Sequence, residues 1–252
     1  MLDNIKSSYI LKTIIRNLLK SRYLNLITHN KNLQKKLNIT LENYIKYYYQ
    51  IEIEIITDKD KIGKENIPFY HIYFNDGNKE IKRNYFTINE KVSKIKVLID
   101  MDVKSIEGLF EECYCIKEVK FINFNRTDFK NYKSMFYYCL NLKYLDIKIL
   151  KTNNIENMEN MFDSCESLEK LDLSNFNTDN VKSMYKMFSG CCSLKELNIS
   201  NFKFNKSTYV EYMFDYCSQN LKNEIFNKYK DKNINDDAFY DDHEDDTCQC
   251  YD

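Results

Sequence analysis

MFDSCESLEKLDLSNFNTDNVKSMYK, residues Met161 to Lys186, runs without a gap into MFSGCCSLKELNISNF, Met187 to Phe202. The second stretch restarts the first after 26 residues. The same step links Leu109-Phe110, Met135-Phe136, Met161-Phe162, Met187-Phe188 and Met213-Phe214. Three residues after each Phe stands a cysteine: Cys113, Cys139, Cys165, Cys191 and Cys217. Ile116, Leu142, Leu168 and Leu194 follow, then Val119, Leu145, Leu171 and Leu197, then Phe121, Ile147, Leu173 and Ile199. A fixed period of this length marks stacked repeats, because one unit cannot bury its apolar face alone. The core set is therefore Phe110, Cys113, Phe136, Cys139, Phe162, Cys165, Leu168, Leu171, Leu173, Phe188, Cys191, Phe214 and Cys217.

Within one unit the apolar period changes. Around Leu171 and Leu173 it is 2, as in a strand. Val181, Met184, Met187, Phe188 and Cys191 are spaced 3, 3, 1 and 3, which reads as helix, with Asp179 or Asn180 as its cap. Leu168, Leu171 and Leu173 form the L-x-x-L-x-L core of a leucine-rich repeat. The expected fold is an α/β leucine-rich-repeat solenoid whose 26-residue units each combine a short parallel strand and a short helical segment.

Met187 to Phe202 resembles the repeat of the BspA-type leucine-rich-repeat family almost residue for residue, and the resemblance covers about 92–217. It implies a recognition scaffold, with a surface adhesin as one alternative. The ends degrade as caps do. Val92, Ile95, Val97 and Ile99 form a strand-like run entering the stack, and Leu221, Ile225, Phe226 and Tyr229 suggest a closing helix.

Upstream, Ile10, Leu11, Ile14, Ile15, Leu18 and Leu19 line one helix face, capped by Ser7 or Ser8. Two further helical patterns follow before residue 50. Residues 8–38 loosely resemble an F-box, through I-L-K-x-I-x-x-x-L, Y-L-N-L and N-K-x-L-Q. That implies docking on the adaptor of a ubiquitin ligase. Ile51 to Ile56 and Tyr70 to Phe74 alternate as strands, with Asp76-Gly77 marking a turn. The domain reading is thus 1–50 helical, 51–91 a small β-rich module, 92–230 the capped repeats and 231–252 an acidic, disordered tail.

The chain has 252 residues, with 4 Gly, 1 Pro and 9 Cys. Gly and Pro fall far below the usual levels of roughly 7% and 5%, which excludes collagen-like and linker-like classes. Turns must then come from Asn, Asp, Ser and Thr. The net charge of −1 hides a gradient of +7 over residues 1–50 and −8 over 231–252. The basic head reads as a solvated helix face, and nucleic acid is not favoured. No signal peptide or transmembrane segment is recognised, so the expected location is cytoplasmic and the cysteines are expected as reduced thiols.

A ladder of cysteines pointing one way cannot wrap one zinc ion tetrahedrally, and Cys248-Gln249-Cys250 in the tail is a weak metal candidate. His29, His71 and His243 pair with no nucleophile motif, and no phosphate loop or metal motif is present. We therefore expect no enzyme activity, no catalytic residue, no cofactor and no metal. The remaining function is protein–protein recognition on the sheet face. Residues flanking the inward column point outward: Glu118, Tyr144, Lys170 and Glu196 on one side, Lys120, Asp146, Asp172 and Asn198 on the other, with Lys148 nearby. Neither outward column keeps one residue type, so these nine are the candidate contacts with an unknown partner protein.

Overall fold

The computed structural model describes residues 31, 32, 35, 45, 46, 48–57, 70–83, 86–232 and 234–240. The chain divides into two compact units, Met1–Gln50 and Ile51–Asp252. In the first, the described positions before Gln50 are helical, and the Gln50 N–H donates to the Lys46 carbonyl at 2.9 Å. The F-box-like segment 8–38 lies outside the described residues, apart from Lys31, Asn32 and Lys35.

The second unit begins with IEIEIIT, Ile51–Thr57 (β1), a β-branched run in strict alternation. Its Ile51, Ile53 and Ile55 are buried. Tyr70–Phe74 (β2), Lys94–Ile99 (β3), Ile116–Asn123 (β4) and Tyr144–Asp146 (β5) join it in a five-stranded sheet of order β2-β3-β1-β4-β5. Only β4 and β5 pair in parallel; the other pairs are antiparallel. Lys170–Asp172 (β6) and Glu196–Asn198 (β7) make a separate parallel pair. Both parallel pairs match residues 26 apart: Val119 with Leu145 and Leu171 with Leu197.

This corrects the expected fold. The unit is mostly sheet, mixed in direction, with one α-helix among its described residues, Gln219–Tyr229 (α1). No strand–helix unit repeats, and the leucine-rich-repeat solenoid built from such units does not form. The 3-3-1-3 spacing is met by successive tight turns instead. Met187, Ser189 and Cys191 N–H groups close on the carbonyls three residues back. Lys186 and Gly190 take φ of 50° and 66°. This alternation aims the N–H groups of Met184, Lys186, Phe188 and Gly190 outward in one direction. They donate to the carbonyls of Tyr209, Glu211, Met213 and Asp215 at 2.7, 3.2, 2.9 and 2.8 Å. A helix would have used those donors within its own segment. The turns around residues 110, 136 and 162 are bonded onward in the same way.

Left-handed positions in these turns are held mostly by Ser, Asn, Tyr, Lys and Glu, with Gly only at Gly108 and Gly190. The scarcity of Gly thus leaves non-Gly residues in a conformation that costs about 1 kcal/mol or more. The bonds to the adjoining turn hold them there. At Gly190 an added Cβ would sit 3.0 Å from Ser164 Oγ and 3.2 Å from Ser164 Cα.

The repeated side chains stack into columns. Phe110, Phe136, Phe162, Phe188 and Phe214 are buried, with successive ring centroids 5.4, 5.7, 5.6 and 5.6 Å apart. Beside them each thiol donates to a carbonyl 29 residues earlier: Cys139 to Phe110, Cys165 to Phe136, Cys191 to Phe162 and Cys217 to Phe188, at 3.0 to 3.3 Å. Cysteine fits because the slot is small and apolar yet faces one spare lone pair. Cys113, the first in the column, is only half-buried.

The ends close differently. Val92 to Ile99 does not enter the stack: β3 lies between β1 and β2, and one sheet runs across the boundary expected at 92. At the far end, Ser218 caps α1 by accepting the Leu221 N–H. Tyr229 of α1 sets its hydroxyl 3.3 Å from the Ile199 N–H. Residues 231–240 depart from the expected disordered tail. Tyr212 and Phe214 N–H groups donate to the Asp237 and Ala238 carbonyls at 3.0 and 2.9 Å. Phe239 stacks on Phe214 at 5.3 Å and ends the ring column. The tail beyond 240, with Cys248 and Cys250, lies outside the described residues.

Candidate functional site

Alternation in β4 and β5 sends Val119 and Leu145 inward, so their neighbours face out. Parallel register then sets Glu118 beside Tyr144 and Lys120 beside Asp146. In the separate pair, Lys170 lies beside Glu196 and Asp172 beside Asn198.

Five of the nine candidates serve the fold itself. Lys170 Nζ meets Glu196 Oε1 at 2.5 Å, and Lys148 Nζ meets Asp172 Oδ2 at 3.3 Å. Such exposed pairs contribute about 0–1 kcal/mol each, so they set register more than stability. Asp172 Oδ1 accepts the Ser174 N–H, and Asn198 Oδ1 accepts the Ser200 N–H, both at 3.1 Å. These are turn caps at equivalent places. Bonds from Ser174, and then Lys148, hold the Asp172 carboxyl below its usual value.

The other four, Glu118, Lys120, Tyr144 and Asp146, make no ion pair among the described residues. They lie together on β4 and β5. Tyr144 is 55% exposed, and Ile122, two residues beyond Lys120 on the same face, is 45% exposed. Sequence reasoning missed Ile122 because it took only the immediate flanks of each inward Val119-type position as outward candidates. Extending the 118/120 alternation by one step would have found it. An exposed aromatic and an exposed aliphatic side chain on one face, with charges of both signs between and beside them, have the composition of a protein-contact patch.

Reactive chemistry is muted elsewhere. Burial pushes the thiols of Cys139, Cys165 and Cys191 well above the ordinary value, and that of Cys115 up to about 11. A protonated thiol is neither nucleophile nor metal ligand. Among the described residues no three His, Cys, Asp or Glu side chains converge as a metal site. The described helices include none long and apolar enough to cross a membrane.

One polar cluster is buried in the turn column. Burial lifts the Asp163 carboxyl to about 6, and the charge of Asp215 adds to the lift; the Ser164 hydroxyl, bonded at 2.9 Å, and Lys186 oppose it. Lys186 Nζ lies 4.0 Å from Asp215 Oδ2 and sits over the rings of Tyr185 and Tyr212. Asp163 and Asp215 hold the same place two units apart, with Ser189 in the unit between, but the sequence reading followed only the inward apolar columns and passed over them.

Searches of curated proteins and of solved structures each returned no match. Residues 104–229, half of the 252-residue chain, match the family described as "Mycoplasma protein of unknown function, DUF285". That span runs from just before the first repeated turn to the end of α1, and on it the chain belongs to the DUF285 family.

Proposed function

We propose that the chain is a non-enzymatic recognition module that binds a partner protein through the outward face of β4 and β5. The observation that carries this reading is that exposed Tyr144 and Ile122 lie on one outward face, with Glu118 beside Tyr144 and the Lys120–Asp146 register pair between the two apolar side chains. Inward columns stay apolar because they pack. This outward patch has no packing reason for its aromatic residue. Interface energy concentrates in such anchors, and truncating one costs about 2 kcal/mol or more.

The test is capture of crosslinked partners from the source cells by the full chain and by Tyr144→Ala and Lys120→Glu variants. We expect each variant to lose at least about tenfold of a specific captured protein while unfolding at the wild-type urea midpoint. Equal capture by all three chains would remove the patch from the binding surface.

The BspA-type resemblance of residues 92–217 carries a second reading, in which the same module is displayed at the cell surface. Intact cells treated with protease decide it. Loss of the chain without lysis supports surface exposure, and full survival until lysis excludes it.

A further inference from the structure

We propose that His71 is a proton-operated latch on the outer strand of the five-stranded sheet: as imidazolium it ties Glu80 to Asp100, and on losing its proton it releases one of them and loosens the 75–81 turn that covers β2. This is independent of the binding face on β4 and β5.

The topology creates the need for a latch. β2 is an edge strand, hydrogen-bonded along one side to β3. Among the described residues its other side is covered at Ile72 alone, whose carbonyl accepts the Ile81 N–H at 2.8 Å in an isolated bridge. The chain reverses between them through Asn75 and Asp76, both left-handed at φ 49° and 59°, with Gly77 N–H closing on Phe74 at 2.9 Å. That single bridge keeps residues 78–81 on an edge that would otherwise offer open main-chain groups for pairing.

The geometry around the ring fixes its protonation. His71 Nδ1 lies 2.9 Å from Glu80 Oε1, and Nε2 lies 3.1 Å from Asp100 Oδ2. Ionised carboxylates only accept, and a neutral imidazole has one N–H. Both bonds therefore exist together only when both ring nitrogens carry protons. Glu80 stays ionised, since Lys82 at 2.5 Å, and then His71, hold its carboxyl below the ordinary value. The groups facing the ring are thus two carboxylates, with Lys82 behind one of them. Across on β3 the neighbour in register is Leu98, and the nearest cation there, Lys96, lies over the ring of Tyr73 instead. The bonds to Asp100 and Glu80 raise the His71 pKa above 6.5, against a smaller opposing effect of burial.

The direction follows by linkage. A histidine titrating higher in the folded than in the unfolded chain adds stability that is complete below about 6.5 and is lost as pH rises through its folded value. Here the loss falls on one turn rather than on the whole unit.

The experiment uses the full chain. The three histidine rings are titrated by NMR between about pH 5 and 9, with His71 assigned by its absence in His71→Gln. Amide exchange at Ile81 is followed over the same range, corrected for the intrinsic base catalysis of exchange. We expect His71 to titrate above its ordinary value. Ile81 protection should fall about tenfold through that midpoint, the worth of one hydrogen bond to a charged group. In Glu80→Gln and Asp100→Asn the midpoint should drop, and in His71→Gln Ile81 should exchange at the high-pH rate at every pH. A His71 midpoint at or below the ordinary value, or Ile81 protection independent of pH in the wild-type chain, overturns the latch without any variant having to fold.

Discussion

Phe162→Ala is expected to destabilise the second unit by about 3–5 kcal/mol, enough to unfold much of the population near physiological temperature. Phe162 is buried between Phe136 and Phe188, its ring nearly parallel to both, at 8° and 7°. Removing it deletes the transfer energy of the ring and leaves a void. It also ends two stacking contacts worth about 0.5–1.5 kcal/mol each beyond the buried area. The void cannot collapse easily. Phe162 N–H donates to the Met187 carbonyl, and its own carbonyl accepts the Cys165 N–H and the Cys191 thiol, which holds the turns at a fixed spacing. Phe162→Leu, which refills most of the volume, should cost about 1–2 kcal/mol. Urea unfolding followed by circular dichroism measures both. An alanine variant within about 1 kcal/mol of wild type would show that the ring column is not the core of the unit.

The second large effect has the opposite sign. Asp163→Asn is expected to stabilise the chain at neutral pH by about 3 kcal/mol. The figure follows from a carboxyl lifted from 3.8 to about 6 at about 1.4 kcal/mol per pH unit. The folded state holds this proton more tightly than the unfolded chain does. Stability from the group is therefore complete below 3.8 and is lost as pH rises to about 6, after which the ionised carboxylate stays buried at a cost. Asparagine keeps an acceptor for the Ser164 hydroxyl, carries no charge and does not titrate. The difference in unfolding free energy between variant and wild type should grow between pH 4 and 6 and then level off. A difference that is flat across that window would mean that Lys186 fully compensates the Asp163 charge.

The corrected fold shows what periodicity can and cannot convey. The spacing of Val181, Met184, Met187, Phe188 and Cys191 records which side chains turn inward, and all five are buried. It does not record where the backbone donors go. A helix and a stack of turns with alternating φ bury the same positions. They differ only in whether the Phe188 N–H bonds within its own segment or to Met213 in the next. That choice rests on the neighbouring copy, so no window within one unit contains it. The nine outward candidates were legible as outward for the same reason the columns were, through alternation. Which of them are spent on ion pairs depended on contacts between neighbouring units, Lys148 with Asp172 and Lys170 with Glu196, whereas the turn caps of Asp172 and Asn198 reach only two residues on.

The sequence alone determined the 26-residue register, the inward columns of Phe, Cys and Leu, and the alternating strands β1 and β2. Each is a local pattern repeated often enough to be read from side-chain type. Only the tertiary structure decided the mixed sheet, the turns in place of helices, Phe239 as the last ring, and His71 between Glu80 and Asp100. Phe239 lies 25 residues after Phe214, one short of the period, and the partners of His71 lie 9 and 29 residues away. Contacts at unrepeated separations leave no periodic trace, because chain closure in space fixes them rather than the preferences of the residues along the chain.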